Sequence, residues 1–280
     1  MKLLEGVLDR IYNFYRYRVF PKVESRRGTT RILIWIEALR GKEMPKVDES
    51  EAFSPFEKDW ENLIILDACR ADIYAEVTGD ESTRVSLGSS TNEYLKKNFS
   101  EGSYDDCVYI SANPKLSKEF FEDLVGRDPG EVFHTVFESY REEWDHEKNT
   151  LMPEHVLKDA KTAKKLFSDK KLVIHFIQPH QPFIHMDYQS EGSWVEDGGG
   201  DFNIWREARK GKYSREELWP YYKKNLEVPL PQVEEIVEEF DGKTVITSDH
   251  GNLVGEMSLW GHPGGYDYEP LRRVPWIVED

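Results

Sequence analysis

Cysteine is scarce in this sequence: two occur among 280 residues, Cys69 and Cys107. A disulfide-stapled scaffold is thereby excluded. Both lie inside apolar, strand-like runs, so reduced core thiols in a cytoplasmic setting are the expectation. Cations are in deficit too, with 37 Lys+Arg against 53 Asp+Glu and a net charge of −16. That charge repels a polyphosphate and argues against nucleic acid as a partner. Long apolar runs are missing as well. The opening MKLLEGVLDRIYNF is broken by Glu5, Asp9 and Arg10, and the run 32–36 is far too short to cross a bilayer. Neither a signal peptide nor a transmembrane helix is expected. What remains, 39% apolar residues with 8 Trp, 14 Tyr and 14 Phe, is the composition of a globular chain long enough to bury a sizeable core.

The cations that do occur are concentrated at one end. Residues 1–42 hold 10 Lys/Arg and 4 Asp/Glu, a local +6 that leaves −22 on the remainder. Within them Leu4, Val7, Leu8, Ile11, Tyr12 and Tyr15 recur at helical spacing, which predicts an amphipathic helix over 3–18. Such a helix packs on the main domain or on a second subunit; the alternative is a peripheral contact of its basic face with anionic lipid. Residues 1–59 therefore read as a basic helical extension and 60–280 as the main domain.

From residue 61 the pattern changes to short, almost wholly apolar runs at 62–66, 107–111, 172–178 and 244–247. These read as buried parallel strands. Helical periodicity at 154–167 and 233–240 separates some of them, and a further helical run begins near Asn92. The alternation predicts an α/β fold, a mostly parallel sheet with helices on both faces. The stretch 188–201, with three glycines in a row, reads as a loop. Around it stand Trp194, Phe202, Trp205, Trp219, Tyr221 and Tyr222, which fit either core packing or a lid over a ligand.

In open α/β sheets ligands bind beyond the carboxyl ends of the strands, so the residues that end each run carry the chemistry. One run ends NLIILD, placing Asp67 at a tip with Arg70 and Asp72 just after it. Another ends VITSDHG, placing Asp249 and His250 together, and a third ends in QPHQPF, which brings His180 to the same edge. Two carboxylates and an imidazole make a mixed oxygen and nitrogen donor set suited to Zn, Mn or Mg. Either aspartate alone could be a helix cap. Capping does not account for the histidines at two strand ends, nor for His262 in WGHP. A nucleophile is supplied by GSSTNEYL, where small residues lead into a helix: Thr91 or Ser90, with Ser89 as a further choice. A hydroxyl there meets unpaired N–H groups and the positive end of the helix dipole, and metal coordination would activate it. His185, Asp187 and His175 are spare groups near the third strand, His175 reading as a core histidine.

These residues resemble the alkaline phosphatase superfamily, in particular its sulfatase-like branch. The segments NLIILDACRAD, GSSTNEYL, IHFIQPHQPF, VITSDHGNLVGE, WGHP and VPWIV follow the family's order from residue 62 to 278. The resemblance implies that Asp67 is the first metal aspartate, and that Asp249 and His250 ligate the same ion. It implies that Thr91 is the threonine nucleophile of phosphoethanolamine transferases, lipoteichoic acid synthases and nucleotide phosphodiesterases. His180 would hold a nonbridging ester oxygen, His262 would bind substrate or a second metal, and Arg70 would grip the anion as a fork donor. Formylglycine is not expected, because Cys69-Arg70-Ala71-Asp72 lacks the Cys-x-Pro-Ser-Arg pattern of true sulfatases.

The function so implied is a metal-dependent hydrolase or transferase of sulfate or phosphate esters, working through a covalent intermediate. Its cofactor is one divalent ion (Zn, Mn, Mg or Ca). Its substrate is an anionic ester from a glycan, a lipid head group or a small metabolite. The alternative is a catalytically silent protein that binds anions or glycans on the same scaffold.

Overall fold

The computed structural model describes residues 43–187 and 203–280, together with Ile11. The helix expected at 3–18, apart from Ile11, and the loop expected at 188–201 lie outside the described residues, as do Trp194 and Phe202. Among the described residues no helix is long and apolar enough to cross a membrane.

Twelve strands are described: β1 (Ala52–Phe53), β2 (Asn62–Leu66), β3 (Thr83–Ser86), β4 (Tyr104–Ser111), β5 (Phe133–Glu138), β6 (Trp144–Asp145), β7 (Thr150–Leu151), β8 (Lys171–Phe176), β9 (Thr244–Thr247), β10 (Leu253–Val254), β11 (Trp260–Gly261) and β12 (Arg273–Glu279). Eight of them form one sheet in the order β1-β3-β12-β9-β2-β8-β4-β5. β2 pairs in parallel with β8 and β9, and β4 with β8 and β5. β12 alone runs against its neighbours β3 and β9, so β3 and β9 point the same way. The carboxyl ends of β2, β3, β4, β8 and β9 therefore share one edge of the sheet.

Side-chain alternation divides the core in two. Ile64 and Leu66 of β2, Val108 and Ile110 of β4, and Leu172, Ile174 and Phe176 of β8 face one cluster. Leu63, Ile65, Cys107, Tyr109 and Val173 face the other. A strand buried on both faces reads as a continuous apolar run, which is why these strands were recognisable in the sequence. Each fully buried Leu, Ile or Val contributes ~2 kcal/mol of hydrophobic stabilisation. Helix Pro153–Leu166 fills the first face through Val156, Leu157, Ala160 and Ala163, and helix Thr91–Phe99 fills the second through Tyr94, Leu95 and Phe99.

The expected boundary at residue 60 is too late. Residues 43–59 belong to the sheet domain: β1 extends the sheet beside β3, Met44 packs on Tyr268 and Leu271, and Glu49 accepts from the buried Arg272 at 2.6 Å. The aromatic group divides as well. Trp205 and Tyr222 are buried against Phe183, so they build the core rather than a lid.

Candidate active site

β2 delivers Asp67 one residue past its tip, and β9 delivers Asp249 and His250 two and three residues past its own. All three side chains are fully buried. One ligand atom from each lies within 4.8 Å of the others, a group able to hold a divalent cation. The two carboxylates are held in the same manner. Asp249 Oδ1 accepts from the backbone N–H groups of Ala68 and His250 at 3.0 and 2.9 Å. Asp67 Oδ2 accepts from Asn113 Nδ2 at 2.6 Å. Their other oxygens, Asp67 Oδ1 and Asp249 Oδ2, have no hydrogen-bond partner, and they stand 3.9 and 3.4 Å from His250 Nε2.

Two buried anions with bare oxygens turned toward one imidazole nitrogen are costly, several kcal/mol per ion, unless a cation lies between them. The residues therefore fit a hard or borderline divalent metal held by carboxylate oxygen and imidazole nitrogen. Ala68, the residue after Asp67, has a φ of 60°, a left-handed conformation uncommon outside glycine. Its N–H reaches Asp249 from that conformation.

Thr91 joins the same group. It is the first residue of helix Thr91–Phe99, it is buried, and its Oγ1 lies 3.1 Å from His250 Nε2. Ser90 is instead the N-cap, its hydroxyl accepting from Glu93 N at 3.3 Å. Ser89 Oγ lies 2.8 Å from the Glu93 carboxylate and 2.9 Å from the Pro263 carbonyl, the two acceptors within reach of its one hydrogen. Of the three candidate hydroxyls, only that of Thr91 contacts His250. The turn needs Gly88, because a Cβ there would lie 2.5 Å from the Tyr94 backbone nitrogen.

His180 and His262 complete the rim. Their rings are 5.0 Å apart, and His262 is 4.5 Å from His250. His180 is fixed from behind by Asn225, whose Nδ2 donates to the carbonyls of Pro179 and His180 at 3.1 and 2.9 Å. Desolvation lowers the His180 imidazole against the pull of Asp67. Desolvation, reinforced by His250 and His180, holds His262 well below its usual range. Burial raises the Asp67 carboxyl, but His180, His175 and His250 outweigh it and hold the group below the carboxylate range.

Two residues of the site carried no sequence signal, and a third, His175, was read only as core. Asn113 orients Asp67. Lys115, two residues on, has its ammonium lowered by desolvation, against the opposing pull of Asp67 and Asp249. His175, expected as a core histidine, is fully buried, but its Nε2 also stands 3.6 Å from Asp67 Oδ2 while Nδ1 meets the Tyr109 hydroxyl at 2.9 Å. The neighbours His185 and Asp187 are exposed and outside the group.

Arg70 requires a correction. Its guanidinium gives two hydrogen bonds to Asp72, at 2.8 and 2.6 Å, one to the Asn252 carbonyl at 2.8 Å and one to Glu256 at 2.6 Å. It also stacks over Trp219. Four of the five N–H groups of the fork donor that was expected to hold a substrate anion are engaged, three of them by carboxylates, so Arg70 braces the loops on either side of the site.

No model of a known family matches the chain, and no curated protein matches it. Among solved structures it is similar to the soluble domain of lipooligosaccharide phosphoethanolamine transferase A from Neisseria meningitidis, with 14% identity, a TM-score of 0.49 and coverage of 78% of this chain and 76% of that one. Against the integral membrane form of that protein the identity is 13% and the TM-score 0.49; the match covers 98% of this chain and spans 59% of the other. The lipoteichoic acid synthase LtaP from Listeria monocytogenes is similar at 10% identity and a TM-score of 0.46, over 78% of this chain and 64% of that one. These likenesses concern the course of the chain, and the residues above carry the chemistry. It is similar as well to a protein in the alkaline phosphatase superfamily from Vibrio parahaemolyticus, at 10% identity and a TM-score of 0.40, over 87% of this chain and 68% of that one.

Proposed function

We propose that the protein is a metal-dependent enzyme that transfers the phosphoryl group of a phosphate ester to Thr91 and then to water or an acceptor alcohol. The observation that carries this reading is the Thr91 hydroxyl, at a helix N-terminus and 3.1 Å from His250 Nε2, beside two buried carboxylates with bare oxygens. Asp67, Asp249 and His250 would hold the cation, with Thr91 beside it. When bound, such a cation neutralises the two carboxylates and makes a neighbouring hydroxyl more acidic.

The chain's own residues do the rest. The helix beginning at Thr91 directs its first N–H groups at an incoming anion. A Lys115 ammonium at the rim would balance the charge that develops on the phosphoryl oxygens. Phosphate is preferred to sulfate because the nucleophile is a plain hydroxyl and Cys69, the only cysteine near the site segments, is buried with its thiol pushed well up. A catalytically silent binding protein is disfavoured, because no member of the expected set of nucleophile and ligands is missing. Two buried free thiols suit a reducing compartment.

The test is turnover of p-nitrophenyl phosphate, its bis ester and p-nitrophenyl sulfate by protein loaded in turn with Zn, Mn, Mg and Ca. Turnover of a phosphate ester, lost in Thr91→Ala, with a phosphoryl mass on the peptide bearing Thr91 after acid quenching, is the expected result. Loaded protein that turns over none of the three overturns the reading.

A further inference from the structure

Three histidines line the site, and each has its Nδ1 against an oxygen. His250 Nδ1 meets the Gly251 carbonyl at 2.7 Å, and His180 Nδ1 meets the Gln181 carbonyl at 2.5 Å. A carbonyl only accepts, so both Nδ1 atoms carry the hydrogen, and the neutral rings keep a lone pair on Nε2. His262 differs. Its Nδ1 lies 2.6 Å from Oδ1 of Asn252, a side-chain amide that would present a donor instead if it turned over.

What prevents the turn is Tyr222. Its hydroxyl has one hydrogen, and that is given to the Ala68 carbonyl. The same oxygen can then only accept from Asn252, whose Nδ2 stands 3.2 Å away. With Nδ2 committed to Tyr222, Oδ1 faces His262. Tyr222 and Asn252 are fully buried, so no solvent competes for either group. The Ala68 carbonyl that anchors the relay belongs to the residue of positive φ whose N–H holds Asp249.

We infer that Tyr222 and Asn252 are positioning residues that fix His262 in the Nδ1–H tautomer, so that its Nε2 keeps a lone pair and His262 works as an acceptor. The relay stands on the hydrogen bonds alone. Its consequence for turnover rests on the function proposed above. As water or alcohol attacks phosphorus, its O–H bond breaks and the proton passes to His262 Nε2. The Thr91 Oγ1–P bond breaks at the same time, with its electron pair returning to Oγ1.

The experiment is nitrogen-15 NMR of histidine-labelled, metal-free full chain, at a pH where the imidazoles are neutral, with the His262 signals identified by their loss in His262→Gln. The Nδ1–H pattern is expected for His262 in the wild type and in Asn252→Asp, which keeps the acceptor. Tyr222→Phe keeps the ring but frees the amide, and is expected to give a mixture of tautomers and a kcat for p-nitrophenyl phosphate about tenfold lower at unchanged KM. An Nε2–H pattern in the wild type, or a Tyr222→Phe spectrum like that of the wild type, overturns the relay. Absence of turnover alongside the expected spectra would overturn the proposed function and leave the relay standing.

Discussion

Asn113 donates to Asp67 Oδ2 at 2.6 Å while its own Oδ1 accepts from the Lys115 N–H at 3.0 Å. The second contact decides which end of the amide faces the carboxylate, so a turn at the end of β4 fixes the rotamer of Asp67, a candidate metal ligand just past β2. Groups that orient a ligand in this way typically account for 10–100-fold in metal affinity. Asn113→Ala is expected to weaken Zn binding by about tenfold or more, with a loss of ~1 kcal/mol in stability from the removed cap. Calorimetric titration of the metal-free protein, paired with a thermal melt, separates the two effects. Unchanged affinity in a folded variant would show that Asp67 needs no support from β4.

Asp249 gives a test of opposite sign. In metal-free protein its bare Oδ2 and the bare Oδ1 of Asp67 are like charges sharing one buried group. Asp249→Asn keeps an oxygen for the Ala68 and His250 N–H groups and removes one charge. Metal-free Asp249→Asn is therefore expected to be more stable than the wild type by ~1 kcal/mol, and to lose the rise in Tm that the metal gives to the wild type. Melts with chelator and with added Zn or Mn check this. A metal-dependent rise that survives in the variant would remove Asp249 from the ligand set.

Much of this geometry was legible in the sequence because wholly apolar strands announce themselves, and the first polar residue after each one is at the sheet edge. Asp67, Asp249 and His250 were found in that way. The first three residues of β4, Tyr104, Asp105 and Asp106, are not buried, so this strand read as shorter than it is. The Asn-Pro-Lys that follows β4 looked like any turn, since the value of Asn113 and Lys115 lies in their nearness to a strand joined to β4 through β8. Arg70 was misread for a related reason. A fork donor beside a metal aspartate suggests an anion ligand, but its partner Glu256 arrives from 186 residues away, a distance that no local pattern encodes.

Glu93 links the turn that leads into Thr91 to the His262 loop and makes stability depend on acid. Its carboxylate accepts from Ser89 N and Gly265 N, both at 3.0 Å, and pairs with Lys97 at 2.7 Å. Burial raises the carboxyl, but Lys97 and these N–H groups outweigh it and bring its pKa from 4.5 down to about 2. A carboxyl lowered on folding contributes stability that is complete above its ordinary pKa and is lost as the pH falls through the folded value. Urea midpoints are therefore expected to decline between pH 4.5 and about 2. Glu93→Gln should flatten that decline by ~1 kcal/mol, the group being partly screened by solvent. Parallel acid limbs in the two proteins would dismiss the link.

Arg70 separates a bracing role from a substrate-binding one. The guanidinium is 4% exposed, Asp72 and Glu256 raise its pKa against the cost of burial, and Arg215 shares Glu256 with it. Removing the guanidinium leaves Glu256 buried with part of its charge unmatched, a change that typically costs 3–5 kcal/mol. Arg70→Met is expected to lose ~3 kcal/mol, and Arg70→Lys, which keeps the charge but not the fork, to lose less. In Arg70→Lys the KM for p-nitrophenyl phosphate should stay within about twofold of the wild type, because none of the bonds that Arg70 makes is directed at the anion. A KM raised more than about tenfold in a variant of undiminished stability would return Arg70 to the substrate. Chemical denaturation and initial rates on the same preparations decide between the two.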